Sequence, residues 1–145
     1  MKLVGEQKIS ATRDVVFKAL NDTEVLKKSI PGCEEIVKIS DTEMTAIVVL
    51  KVGPVKARFK GSVQLSNLNP PESYTISGEG KAGPAGGAKG GVDVTLIADG
   101  NNTILKYDVS AKIVEKFAQL GNRLIDSTAK KLASQFFAEF AAIVE

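Results

Sequence analysis

Few side chains in this sequence could carry chemistry. Tyr74 and Tyr107 supply the only phenols, Cys33 the only thiol, and Glu34 and Glu35 the one adjacent pair of carboxylates. There is no histidine and no tryptophan. Without imidazole, and with one thiol, a histidine-based triad, a zinc finger, an internal disulfide and a Cys-x-x-Cys redox pair are all excluded. No catalytic residue and no metal site is assigned. Neighbouring positions on an extended strand point to opposite faces, so Glu34 and Glu35 do not form an acid–base dyad. Cys33 follows the Pro31-Gly32 turn with no imidazole or helix N-terminus to activate it, and reads as an inert small residue. The tyrosine hydroxyls are expected to find partners within the protein, with donation to a ligand carbonyl as their other use.

Glycine spacing offers a second kind of chemistry, phosphate binding. Gly78-Glu-Gly80-Lys-Ala-Gly83 satisfies G-x-G-x-x-G, and Asp99 stands at the distance of a ribose-binding acid. A dinucleotide site needs its last glycine to open a helix. Here Pro84, more glycines and an alternating strand follow instead. Gly86 to Gly91 contains no Gly-Lys-Ser/Thr and is not a P-loop. In antiparallel strands such glycines mark bulges and bends that let a sheet curl.

The elements that must position these groups are legible from periodicity. At 145 residues the chain has the size of one domain, 1–145. Residues 2 to 9 alternate as a half-buried strand with Leu3, Gly5, Gln7 and Ile9 on one face. Ser10 or Thr12 then caps a short helix bearing Val15, Val16, Ala19 and Leu20, and a second helix runs from about Asp22 to Ser29. From residue 42, Met44, Ala46, Val48, Leu50 and Val52 share a face. After the Gly53-Pro54 turn so do Val55, Ala57, Phe59, Gly61, Val63 and Leu65. Tyr74, Ile76, Gly78 and Gly80 follow, then Val92, Val94 and Leu96, then Leu105, Tyr107, Val109 and Ala111. The pattern predicts an antiparallel meander with one dry and one wet face.

Seven positions on the dry face are small: Ala46, Ala57, Gly61, Gly78, Gly80, Gly90 and Ala111. Close packing would fill that space with larger side chains. Either the covering helix sits very close or a void remains inside. Residues 113 to 144 read as that helix, about 48 Å long. Phe117, Leu120, Gly121, Leu124 and Thr128 form one stripe, and Phe136, Phe137, Phe140, Ala141 and Val144 another, rotated by about 120° to 140°. One flat sheet cannot bury both. The second stripe is expected to meet the N-terminal helices, a second copy of the chain in a homodimer, or a membrane surface. Gly121 is expected in mid-helix, facing the sheet.

The formal charge is +2, too small to announce nucleic-acid binding, and none is expected. Its distribution is uneven. No acid lies between Glu43 and Glu72, whereas Lys51, Lys56, Arg58 and Lys60 do. Such a face either keeps a strand pair soluble or meets an acidic partner or anionic lipid. No run approaches a membrane span, and the N-terminus lacks an apolar signal region. A cytoplasmic location is expected, at most peripheral to the inner face of a membrane. The Asn21-Asp22-Thr23 and Asn101-Asn102-Thr103 sequons then read as turns.

One strand, two short helices, a curled antiparallel sheet of six to seven strands and a long C-terminal helix, an α+β arrangement, resemble the helix-grip fold of the START-like, birch-pollen-allergen-like (SRPBCC) superfamily. More narrowly, the chain resembles the CoxG family, the G subunit of carbon monoxide dehydrogenase. The residues that carry this are Ile30-Pro-Gly-Cys33, Lys51-Val-Gly-Pro-Val-Lys-Ala-Arg-Phe-Lys-Gly61, the glycine-rich 78 to 91 stretch, Ala118-Gln-Leu-Gly-Asn-Arg-Leu-Ile-Asp126 and Phe136-Phe137. They extend over essentially the whole chain.

The resemblance implies an accessory or carrier protein for a molybdenum-containing carbon monoxide dehydrogenase or related hydroxylase, with an apolar cavity for a lipid- or quinone-like molecule and no intrinsic cofactor. Some family members carry a C-terminal membrane tether that residues up to Glu145 do not include. The expected lining is Met44, Leu50, Phe59, Tyr74, Tyr107, Phe117, Leu120, Gly121, Leu124 and Thr128. The expected docking surface for the partner enzyme is Lys51, Lys56, Arg58 and Lys60, with Phe137, Phe140 and Val144 available for weak interfacial contact. Two other classes fit less closely: a ligand-free assembly factor, and a cyclase- or hydrolase-type cavity enzyme, which needs an ionisable group inside.

Overall fold

The alternation that runs through the middle of the chain is satisfied by one seven-stranded antiparallel sheet. The computed structural model describes residues 1–145. Strand β1 (Lys2–Ile9) leads into helices α1 (Arg13–Leu20) and α2 (Thr23–Ser29), and then to β2 (Cys33–Lys38), β3 (Glu43–Val52), β4 (Val55–Asn69), β5 (Ser73–Lys81), β6 (Gly87–Asp99) and β7 (Asn102–Val114). Helices α3 (Lys116–Gln119) and α4 (Asn122–Val144) follow. The order across the sheet is β1-β7-β6-β5-β4-β3-β2. Helix α4 packs against β1 and β3, which belong to opposite ends of that order, so the sheet curls around it.

Local chemistry sets the entry to each element. Thr12 is the extended N-cap of α1, and the Asp22 carboxylate caps α2 by accepting from Glu24 N at 2.9 Å and Val25 N at 3.5 Å. Val16, Ala19 and Leu20 turn inward from α1, whereas Val15 remains 48% exposed. Ile9, Val16, Leu96, Leu105 and Phe140 are essentially inaccessible, joining strands of the sheet, α1 and α4 in one apolar cluster. The Thr103 hydroxyl, also buried, donates to Ala11 O at 2.8 Å and ties the β7 start to the β1–α1 turn.

Two expectations are corrected. The predicted helix over 113–144 begins later and in two pieces. Strand β7 runs to Val114, Glu115 turns at φ 62°, α3 has four residues, and Gly121 stands at φ 89°, ψ 153° before α4 starts at Asn122. That backbone region is essentially reserved for glycine, so Gly121 breaks the helix instead of facing the sheet from its middle. The break resolves the rotated stripes. Phe117 packs independently on α3, and α4 takes its own phase.

The second correction concerns Glu34 and Glu35. The β2–β3 register slips between Cys33 and Glu35, leaving Glu34 as an extra residue. A bulge of this kind breaks simple alternation, and both carboxylates are exposed. They still form no dyad: Glu34 instead meets Arg58 at 3.2 Å.

Candidate functional site

Strand parity builds a cavity between the sheet and α4. The inward residues Met44, Ala46, Val63, Leu65, Tyr74, Ile76, Val92, Val94, Leu105, Tyr107 and Val109 form its floor. Leu20, Leu26 and Ile30 close it from the N-terminal helices, and Ala129, Leu132, Ala133, Phe136 and Phe137 form its roof. All 22 lining residues are hydrophobic, and the volume is about 440 Å³. Ligand sites commonly fall between about 300 and 1,000 Å³.

A second chamber of about 460 Å³ continues from the first. Met1, Ile30, Ala46, Val63, Ala129 and Leu132 line both and form the waist between them. Beyond the waist lie Val48, Leu50, Phe59, Ile113, Phe117, Ile125 and Thr128, with Gly61, Gly78 and Gly80 leaving room on the sheet side. Phe59 and Phe117 meet at 5.1 Å between ring centroids. Glu79 has the one ionisable side chain on this wall, and it pairs with Lys81 at 3.5 Å. Of the seven small residues on the dry face, Ala46, Gly61, Gly78 and Gly80 border the chambers. Gly90 serves close strand approach, because a Cβ there would strike Ser110 O and Ala111.

The two phenols occupy the first chamber. Tyr107 stacks on Phe137 at 5.3 Å and 26°, and Phe136 continues the cluster to Phe137 at 5.1 Å and to Phe140 at 5.6 Å. Tyr74 is 3% exposed and meets Phe17 edge to face at 5.3 Å. Burial alone pushes its phenol well above the ordinary range, with no hydrogen bond acting on it. The expectation that protein groups satisfy this hydroxyl is therefore corrected for Tyr74. The hydroxyl keeps access to the chamber, where a ligand acceptor would give it a partner.

The positions expected to line the site divide into three groups. Met44, Tyr74 and Tyr107 lie in the first chamber, and Leu50, Phe59, Phe117 and Thr128 in the second. Leu124 faces an outer groove, its Cδ2 over Gly53. Leu120 and Gly121 border neither chamber, because the chain leaves helical geometry there, and the Gly121 position opens to space with nothing within 4 Å. The roof missed by the sequence reading is Ile125, Ala129, Leu132 and Phe136. Their 3- and 4-residue spacing was available as a signal once the helix is phased from Asn122.

The expected docking residues divide as well. Lys51, Lys56, Arg58 and Lys60 are all exposed on the outer face. Phe137, Phe140 and Val144 are not a surface: Phe137 roofs the first chamber, Phe140 is fully buried, and Val144 packs on the core. Of the destinations open to the second stripe, the N-terminal helices and the sheet take it, since α4 packs across α1, α2 and β1. Cys33 is half-buried and its thiol is pushed up by burial, as an unreactive cysteine should be. Gly83 opens a single 3-10 turn, which removes the helix that a dinucleotide site requires. No helix is long and apolar enough to cross a membrane.

Comparison with known proteins gives the same architecture. A conserved protein from Geobacillus kaustophilus superposes with a TM-score of 0.93 at 26% identity, over 99% of this chain and 95% of that one. A START superfamily protein from Mycobacterium smegmatis aligns at TM-score 0.73 and 9% identity, over 99% and 96% of the two chains. The Zhui aromatase/cyclase from Streptomyces sp. R1128 aligns at 0.68 and 12%, over 99% and 93%. Among curated proteins, none matches in sequence. The family model for CoxG, the G subunit of carbon monoxide dehydrogenase, matches residues 5–145. With the helix-grip fold, the apolar interior and a match across nearly its whole length, the chain belongs to the CoxG family.

Proposed function

We propose that this protein is a non-enzymatic carrier that holds a neutral quinone- or lipid-like molecule between sheet and α4, as an accessory to a molybdenum-containing carbon monoxide dehydrogenase or related hydroxylase. The observation that carries the reading is the all-apolar first chamber joined to a second of equal size. A space of this size lined wholly by apolar side chains suits a hydrophobic occupant.

The chemistry of the walls narrows the occupant. No cationic side chain lines either chamber, and the Met1 ammonium, the one positive charge among the lining residues, already donates to Ala111 O at 2.8 Å, so a neutral head fits the walls better than a carboxylate or phosphate. A carbonyl or hydroxyl head suits the Tyr74 hydroxyl, the Tyr107–Phe137 stack favours a flat ring beside it, and the waist leads an apolar tail to Phe59 and Phe117. Membership of the CoxG family supports the link to the dehydrogenase. The enzyme reading needs a proton-transfer group. The first chamber offers only phenols, and burial takes Tyr74 further from service as a base.

Native mass spectrometry of protein purified from its own host tests this. The expected result is a neutral, organic-extractable adduct. Protein that carries no adduct and takes up no apolar fluorescent probe would overturn the carrier reading.

A further inference from the structure

A short segment between β7 and α4 closes the end of the second chamber. Helix α3 has four residues, no side-chain cap and one buried residue, Phe117, which is 4% exposed and rests on Phe59. Glu115, Lys116, Ala118 and Gln119 all face solvent. The main packing partners of α3 are β7 and the 3-10 turn at Gly83–Ala85. A helix this short has almost no stability of its own, so the Phe117 ring in the chamber is what holds it down.

The segment is also strained where it begins. Glu115 stands at φ 62°, ψ −134°, near the first central position of a type II′ turn, which favours glycine. Its carboxylate makes no capping hydrogen bond that would account for the conformation. The neighbours impose it. Val114 is still paired with Gly87, and Phe117 must reach the chamber only three residues later. Gly86 makes room for this arrangement, because a Cβ there would strike Val114 O and Glu115 Cβ. Strain of this kind is worth roughly 5- to 150-fold in a local equilibrium, and it is released once Phe117 leaves its seat. At the other end Gly121 supplies a second pivot, in backbone space that suits glycine alone.

We infer that residues 116–120 form a spring-loaded strap that gates the second chamber, with Phe117 as its plug, Glu115 and Gly121 as its pivots, and the strain at Glu115 biasing it toward opening. The other breach in the chamber wall is harder to widen. Strand β2 pairs with β3 only as far as Val48, so beyond Val49 the β3 edge faces α4 across a groove, and Leu50, Thr128 and Leu132 line both groove and chamber. Those three sit on the 10-residue β3 and the 23-residue α4, elements that move only as wholes, whereas one side chain secures the strap. That the strap admits a ligand, head first and with the end of its tail left under Phe117, rests on the carrier reading; the strained opening does not.

Amide hydrogen exchange and dye kinetics test it. Glu115→Gly relieves the strain, and the extra freedom of glycine in the open strap takes back roughly two- to fivefold of the gain, leaving opening about tenfold rarer. Exchange at the amides of Gln119, Leu120 and Gly121, which donate to Glu115 O, Phe117 O and Ala118 O, is expected to slow by that factor without added ligand. Uptake and release of Nile red, a neutral apolar dye, should both slow about tenfold with affinity unchanged, because the empty and the dye-bound protein are closed alike. Glu115→Ala keeps a Cβ and therefore the strain, so both measurements should stay as they are. Phe117→Leu, a looser plug, should speed both dye rates. Unchanged amide exchange in Glu115→Gly, slowed amide exchange with unchanged dye rates, or an equal effect from Glu115→Ala overturns the inference. Slowed amide exchange in a protein that takes up no dye would leave the strap standing and defeat the carrier reading alone.

Discussion

Tyr107 lies across Gly5. The two are paired in the β1–β7 register, and the Tyr107 hydroxyl and ring occupy the place where a Cβ on residue 5 would stand. A glycine with no side chain of its own thus sets the pose of the ring that stacks on Phe137 in the first chamber. Gly5→Ala is expected to push that ring out of place at a cost of about 1–3 kcal/mol, the usual penalty for overpacking. In a Tyr107→Ala background the same change should cost almost nothing. Urea unfolding of the four proteins in the cycle measures the difference, and an unchanged cost without the ring would refute the contact.

Removal of the Tyr74 hydroxyl should separate stability from binding. No protein group engages it, so Tyr74→Phe is expected to leave stability at neutral pH unchanged or slightly higher. Affinity for a carbonyl-headed apolar ligand should fall by roughly 2- to 12-fold, the worth of one hydrogen bond of about 0.5–1.5 kcal/mol. Titration of both proteins with a quinone analogue checks it; equal affinities would show that the hydroxyl meets no ligand.

The same burial predicts a pH dependence. The folded state holds the Tyr74 proton more tightly than the unfolded chain, whose phenol ionises near about 10. The Tyr74 contribution is therefore constant below pH of about 10 and is lost as pH rises above it, because only the unfolded chain gains by ionising. Denaturation midpoints measured at rising alkaline pH should fall more steeply for the native sequence than for Tyr74→Phe. Parallel decline would contradict the assignment.

The waist between the chambers can be blocked from α4. Ala129 lines both, so Ala129→Phe places a ring in the passage. Each buried methylene is worth about 0.8 kcal/mol, so excluding even two from the second chamber should weaken a long-tailed ligand by more than about tenfold. A short ligand confined to the first chamber should be little affected. Loss of both in equal measure would indicate that the chambers do not act as head and tail sites.

Gly121 offers a test of backbone conformation without side-chain crowding. Nothing lies within 4 Å of where its Cβ would be, yet its φ of 89° with ψ of 153° suits glycine alone. Gly121→Ala should therefore destabilise by about 1–3 kcal/mol. Asn, which tolerates ordinary left-handed turns, should not rescue it in thermal unfolding, since this is a different region of backbone space.

The sequence by itself determined the sheet. In β3, β4, β5 and β7 the alternation of side chains follows from a two-residue period, which no tertiary contact can change without moving every apolar residue to the wrong face. That parity was enough to turn Tyr74 and Tyr107 inward and Lys51, Lys56, Arg58 and Lys60 outward, and to narrow the small inward residues to two explanations, a very close helix or an internal void. The CoxG resemblance rested on motifs spread along the chain, and the family match follows the same extent.

Tertiary structure decided what periodicity cannot carry. Helical phase depends on where a helix begins. The break at Gly121 lies in a backbone angle, so Leu120 and Leu124 were assigned to a lining that Ala129, Leu132 and Phe136 in fact supply. Burial of the Phe137, Phe140 and Val144 stripe depended on the path of α1 and α2 across it, which no local signal in α4 specifies. The unpartnered Tyr74 hydroxyl, the waist joining two chambers and the groove beside the unpaired part of β3 are relations between residues far apart in the chain. They exist only once the sheet has curled around the helix.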